Sequence, residues 1–361
     1  MALHEVDIWN RALSRVGDAR LVPEASLVIS AATAANPVLI THALPSPVFV
    51  DDDLILIRGM DEMTEVNGRV FKLNVLTTTT AELLEEDGTA YTAETTGGTL
   101  QKLPTTKRSK AAFDAWTNIR DEVLESHPWA NVTRRSRAAR LEASRAITGA
   151  TAANPVRITC VAHGYTTGDL VLIEDIVGQI ELNDRFFIIS QVFVGVVEDP
   201  DLFDLNTEDG TLHTAYVSGG TSKKALTPLT PDSGYGHRYA LPSDSLRIVE
   251  LTDSRELWMV ENGELHTNEG ITAPIRYIFR QRDVTAYRPA LENALEFRLA
   301  LELNEELTQS NSKRQRAFKE WETFLARAQH IDSLEQSPKP IQEDDWILSR
   351  LSGSPTSRRF R

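Results

Sequence analysis

The feature that most constrains this chain is an internal duplication, because two similar stretches of one polypeptide must each be able to form the same local structure. Ile29–Thr41 reads ISAATAANPVLIT and Ile147–Thr159 reads ITGATAANPVRIT, so ATAANPV is shared without a change. The likeness continues in order. Asp53–Ile57 (DLILI) matches Asp169–Ile173 (DLVLI), and Val66–Phe71 (VNGRVF) matches Leu182–Phe187 (LNDRFF). Glu86-Asp87-Gly88-Thr89 and Gly97-Gly98-Thr99 return as Glu208-Asp209-Gly210-Thr211 and Gly219-Gly220-Thr221. Each copy is about 75 residues long, at 28–101 and 146–222.

Within a copy, short β-branched runs such as VLIT, LILI and RVFKL alternate with Asn-Pro, Asn-Gly and Asp-Gly, which reach turn conformations at low cost. This pattern predicts a small all-β domain, a barrel or a sandwich. Both copies are acidic: the first holds 11 acids against 3 bases and the second 11 against 2. The stretch between them, 102–145, holds 10 bases and 5 acids, including Arg134, Arg135, Arg137, Arg140 and Arg145. The chain's net charge of −14 therefore comes from the repeated modules. The modules resemble a unit that recurs in phage structural proteins and is similar to the first catalytic-cysteine half-domain of ubiquitin-activating enzymes. That resemblance implies a fold and no thiol chemistry, since the first copy has no cysteine and Cys160 sits inside a strand pattern.

With the modules set aside, residues 1–27, 102–145 and 223–337 remain, and much of this frame carries helical periodicity. Val6, Ile8, Trp9, Leu13 and Val16 form one stripe ahead of Gly17, a C-terminal cap. Ala112, Phe113, Trp116, Ile119, Val123 and Leu124 form a second, which Pro128 ends. Residues 245–280 alternate as strands, with Asn262-Gly263 at a hairpin position. From Pro289 to about Ser333 the sequence predicts one long helix or two in tandem. Leu291, Leu295, Leu299, Leu303 and Leu307 lie four apart, followed by Phe318, Trp321, Phe324 and Leu325. The expected class is α+β: a discontinuous helical frame with a small antiparallel sheet, interrupted by two all-β modules. It ends in an extended tail at 338–361 that does not fold alone.

The frame as a whole resembles the head-to-tail adaptor, or tail tubular, proteins of tailed bacteriophages. The resemblance rests on the order of DIWNRALSRVG, FDAWTNIRDEVLESHPWANVTRR, YALPSDSLRIVEL and RQRDVTAYRPALENALEFRLALELNEELT. Its most specific parts are Val123–Trp129, Leu241–Arg247 and the Arg298-Leu299-Ala300 core of the last helix. Membership implies a ring, commonly of twelve copies, that docks on the portal protein. The ring continues the DNA channel toward a downstream tail or nozzle protein, at the neck of the virion. Many adaptors are shorter, so the two modules are a departure whose purpose the resemblance does not supply. The tail, with Trp346, Ile347 and Leu348 beside Arg350, Arg358, Arg359, Phe360 and Arg361, has the composition of a segment ordered by binding. The resemblance makes the portal its expected partner.

Chemistry leaves few marks. The chain has no Walker loop, HExxH, GxSxG or paired CxxC. Gly234-Tyr235-Gly236 is expected to be a turn. Asp51-Asp52-Asp53 and Asp199, Asp201 and Asp204 offer oxygens to a cation but lack the spacing of a calcium loop, and His163 has no counterpart in the first copy. The expectation is therefore no catalytic residue, cofactor or metal. DNA should pass without specific binding, since the basic stretch lacks interleaved aromatics. The N-terminus has no signal-type apolar run and no segment is apolar enough to span a bilayer, which predicts synthesis in the host cytoplasm without membrane contact. Two other classes stay open: a host-surface or capsid-binding decoration protein acting through the paired acidic modules, and a tail-associated glycan hydrolase.

Overall fold

The computed structural model describes residues 4–42, 49–89, 91–95, 97–192, 201–231, 233–252 and 256–334. It is mixed helix and sheet, and the chain divides into two compact units. One comprises residues up to 119, 129–131 and from 283 onward; the other comprises 120–128 and 132–282. Each unit contains one copy of the repeat.

In the first unit, helix α1 (Glu5–Val16) buries Ile8, Trp9, Ala12, Leu13 and Val16 on one face. The backbone N–H of His4 donates to the Asp7 carboxylate at its start, and Gly17 closes it at φ 86°, a left-handed conformation that costs glycine nothing. The first repeat follows as β1 (Ala25–Thr33), β2 (Val38–His42), β3 (Leu54–Met60), β4 (Val70–Val75), β5 (Thr80–Leu83) and β6 (Gly97–Lys102). These close into an antiparallel barrel in the order β1-β2-β5-β4-β3-β6. Closure leaves no edge to cover. Val38, Ile40, Ile55, Ile57, Phe71, Leu73 and Leu100 fill it at alternating strand positions.

Helix α2 (Lys107–Ser126) starts in this unit. Trp116 sets its indole edge-on to Trp9 and donates Nε1–H to the buried Glu5 carboxylate at 2.7 Å, while Glu5 also accepts from the Val70 N–H at 2.8 Å. One carboxylate thus joins α1, α2 and the barrel. Of the two expected readings of Pro289 to Ser333, the structure has two helices in tandem, α3 (Pro289–Thr308) and α4 (Asn311–Ser333), broken where Gln309 takes φ 51°. Leu291, Leu295, Leu299 and Leu303 are buried on α3, and Phe297 stacks on Phe324 of α4 at 3.9 Å between ring centroids. Arg11 pairs with Glu292 at 3.1 Å, and Arg15 pairs with Glu296 while lying over the Phe297 ring. Phe318 differs from expectation: it is exposed.

The second unit is built on sheet. Its strands begin with β7 (Thr133–Leu141), followed by the second repeat: β8 (Arg145–Ala146), β9 (Gly149–Ala150), β10 (Arg157–Thr159), β11 (Leu170–Val177), β12 (Arg185–Val192), β13 (Leu202–Leu205) and β14 (Ser218–Leu226). The equivalent of β1 is split here. β8 pairs with β14 and β9 with β10, and Ile147 N–H to Gly220 and Thr148 N–H to Thr159 bridge the gap, so the repeat follows the same six-strand circuit. Then come β15 (His237–Ala240), β16 (Ser245–Leu251), β17 (Trp258–Glu261), β18 (Glu264–Thr267) and β19 (Thr272–Phe279). Asn262 and Gly263, both at positive φ, make the expected hairpin turn between β17 and β18. Outside the repeats the chain is thus less helical than its Leu- and Trp-patterned segments suggest. β7 pairs along its length with β19 and, through Leu141 and Arg140, with β14, which draws the second repeat into one ten-stranded sheet.

Candidate functional site

The residues that the two copies share build the fold. Arg69 forks onto Glu86 at 2.6 and 2.7 Å, and Arg185 forks onto Glu208 at 2.7 and 2.8 Å, each guanidinium lying 4.7 Å from a phenylalanine ring centre. Lys102 holds Asp53 at 2.6 Å, as Lys224 holds Asp169 at 2.7 Å. Asn67 and Asn183 each bond both backbone groups of the facing residue, Met60 or Ile176. Gly88 and Gly210 are needed for space: a Cβ would lie 2.4 or 2.5 Å from the valine after the shared proline, Val38 or Val156.

The sequence's candidates for chemistry are mostly drawn into the same work. Asp53 accepts from Lys102 and from the Val50 N–H, and Asp51 from the Val75 N–H. Asp204 forks with Arg157, and Asp201 accepts the Ala162 N–H; Asp199 lies outside the described residues. Among the described residues, no group of three His, Cys, Asp or Glu side chains is placed to hold a metal ion. His163 is buried and accepts the Tyr165 N–H at Nδ1 while packing on Tyr165 and Phe203. Cys160 lies 3.4 Å from the Ser222 hydroxyl, and burial pushes its thiol up, away from the reactive thiolate. Ser233, His266 and Glu261 have the composition of a triad without its geometry. Ser233 and Glu261 both approach Nδ1 of His266, whereas base and orienting acid must use opposite ring nitrogens. Gly234 and Gly236 sit in a turn, where Gly236 N–H donates to Asn268.

The basic stretch is dispersed. Arg134 lies over the Phe279 ring and reaches Asp244, Arg140 donates to the Thr227 carbonyl and Arg145 to the Ala162 carbonyl; Arg135 and Arg137 are exposed on β7. The sequence segments that carry the adaptor resemblance are structural too. Asp244, inside Leu241–Arg247, accepts from Tyr277 and Arg134, while Leu299 and Ala300 are buried in α3.

What the structure adds is a groove of about 460 Å³ between the start of α3 and the end of α4. Trp129, Leu291, Phe324, Ala328 and Ile331 make its walls mostly apolar, with Arg288 and Arg327 at the rim. Asp332 is fixed by accepting the Ala130 N–H at 3.0 Å. Sequence reasoning missed this site because its walls come from three separated segments. The one local signal is Phe324, Ala328 and Ile331 at i, i+4 and i+7, which continue the stripe of the buried Trp321 toward the end of the helix. The expected partner-binding residues, Trp346, Ile347, Leu348, Arg350, Arg358, Arg359, Phe360 and Arg361, lie outside the described residues. No family model matches the chain, and no curated protein matches it.

Proposed function

We propose that the chain is a structural virion protein, a head-to-tail adaptor whose copies form a ring on the portal and continue the DNA channel toward the tail. The observation that carries this reading is the use made of the duplicated residues. The side chains repeated here hold turns, close ion pairs and pack barrels, which is the use a structural protein makes of a repeat. The order of frame segments supports the same reading, with α1, α3 and α4 packed through aromatic and ion-pair contacts in one unit. The helical adaptor frame of 1–27, 102–145 and 223–337 and its ring number belong to this proposal. The test is the mass of the purified protein by light scattering, alone and with its portal. A large stoichiometric ring that forms with portal supports the adaptor; a mass indifferent to portal overturns it.

One observation favours the second reading, a capsid-binding or host-surface protein acting through the modules. The second copy exposes Val177, Ile180 and Val217, where the first has Asp61, Thr64 and Thr95. The Val217 N–H donates to the Val177 carbonyl, so the two residues adjoin along the backbone. Apolar groups exposed together mark contact surfaces more often than chance ones. Converting the three to their counterparts, by Val177→Asp, Ile180→Thr and Val217→Thr, separates the readings. Loss of surface attachment with intact, DNA-filled particles supports the module reading, and leaking heads support the adaptor.

A further inference from the structure

We propose that the groove between α3 and α4 is the docking site of the chain's own C-terminal segment, with Trp346, Ile347 and Leu348 on its apolar walls and Glu343, Asp344 and Asp345 against its arginines. The inference concerns the chain free in solution and stands apart from the adaptor reading.

The groove defines its occupant. Trp129 and Leu291 are buried at its base, Phe324 is half-buried and Ile331 is 45% exposed, so an apolar insert would cover surface that water now meets. Arg288 and Arg327, both exposed, line the same groove. A fitting segment therefore carries an aromatic and aliphatic patch with acids beside it. Residues 343–348 read EDDWIL, three acids followed at once by tryptophan, isoleucine and leucine.

The tether selects this segment over a free partner. Ile331 and Asp332 line the groove, α4 ends at Ser333, and Trp346 lies 12 residues beyond Leu334. Twelve residues reach at most roughly 40 Å, whereas the turn from Phe324 to Ile331 covers roughly 10 Å of helix. The segment thus returns to the groove with slack. A short tether gives an effective concentration on the order of 1 mM, roughly a thousandfold above that of a second copy at micromolar protein.

The test uses the full chain carrying Ile331→Cys and Leu348→Cys, since the native thiol of Cys160 is buried and stays out of exchange. The control pair is Phe318→Cys with Leu348→Cys: Phe318 is exposed and lies roughly 20 Å up the same helix. Under mild oxidation the first pair is expected to close within the monomer at least about tenfold faster than the control. Arg327→Glu, at an exposed position, should abolish the advantage. Equal rates for the two pairs overturn the proposal. Cross-links found only between chains overturn it in favour of a second copy as occupant, and an advantage indifferent to Arg327→Glu overturns the charge pairing.

Discussion

The same guanidinium fork occurs twice in this chain at different depths, which makes one ion pair its own control. The Arg69 and Glu86 side chains are 10% and 5% exposed, while those of Arg185 and Glu208 are 48% and 15% exposed. Removing one partner of a buried pair strands the other charge in a poor solvent, whereas a surface pair is screened by water. Arg69→Ala is expected to cost about 3–5 kcal/mol and Arg185→Ala about 0–1 kcal/mol, read from urea unfolding midpoints. Equal losses would contradict the argument. Two tyrosines give a second residue-scale prediction. Burial and then the Asp244 charge push Tyr277 up to about 12, and burial and then Glu269 push Tyr239 up to about 12. A phenol that ionises later in the fold than in the unfolded chain, where its pKa is about 10, binds its proton more tightly when folded. Its contribution is full below pH 10 and disappears as pH rises through 12. Ultraviolet titration should show Tyr277 and Tyr239 among the late-ionising tyrosines, alongside Tyr165 and Tyr216, which burial also raises. Tyr277→Phe should remove one and flatten the alkaline loss of stability; an unchanged curve would count against it.

The elements differ in how openly the sequence announced them. Barrel strands were legible because β-branched runs lie between Asn-Gly and Asp-Gly turns, and a side chain on a pleated strand shows its burial at every second position. α1 and α2 were legible from their stripes and stops. β7 was not: TRRSRAARL has five exposed or polar side chains among its first five positions, and its core contribution is Ala138 and Ala139, small residues with no strand preference. Its place is set by partners on both sides, β19 and β14, which lie far away in sequence. Between Pro289 and Ser333 the sequence left one helix or two open, and it did not place the break, because Gln309 is an ordinary helix former in a long leucine-patterned run. The corner holds Gln309 at φ 51°, where a side chain is strained by about 1–2 kcal/mol. Gln309→Gly is expected to gain roughly 0.5–1 kcal/mol after the added freedom of the unfolded chain is subtracted, and Gln309→Val to lose more than that. Thermal unfolding checks the sign; a loss with glycine would show that the glutamine side chain itself holds the corner.

For the whole molecule, the site was half legible. The EDDWIL segment is conspicuous in sequence, an apolar patch in a polar, proline-containing tail, but the groove it is proposed to fill draws on residues 129–131, 288–293 and 324–332 and has no linear signature. The two proposals together predict how assembly is timed. If the tail patch serves the portal and also rests in its own groove, the two uses compete, and only the undocked fraction of chains is competent for the portal. Apparent affinity then falls by that fraction: with one chain in ten to one in a hundred undocked, portal binding is weakened by about 10- to 100-fold. Arg327→Glu, which opposes the acids at 343–345 without touching the apolar patch, should release the tail and tighten portal binding by the same factor. Light scattering of ring formation against portal concentration measures this directly. A midpoint that moves to lower portal concentration supports tail release as the control on assembly. A midpoint that stays in place, with the cross-linking advantage lost, would show that the groove holds the tail without governing the ring.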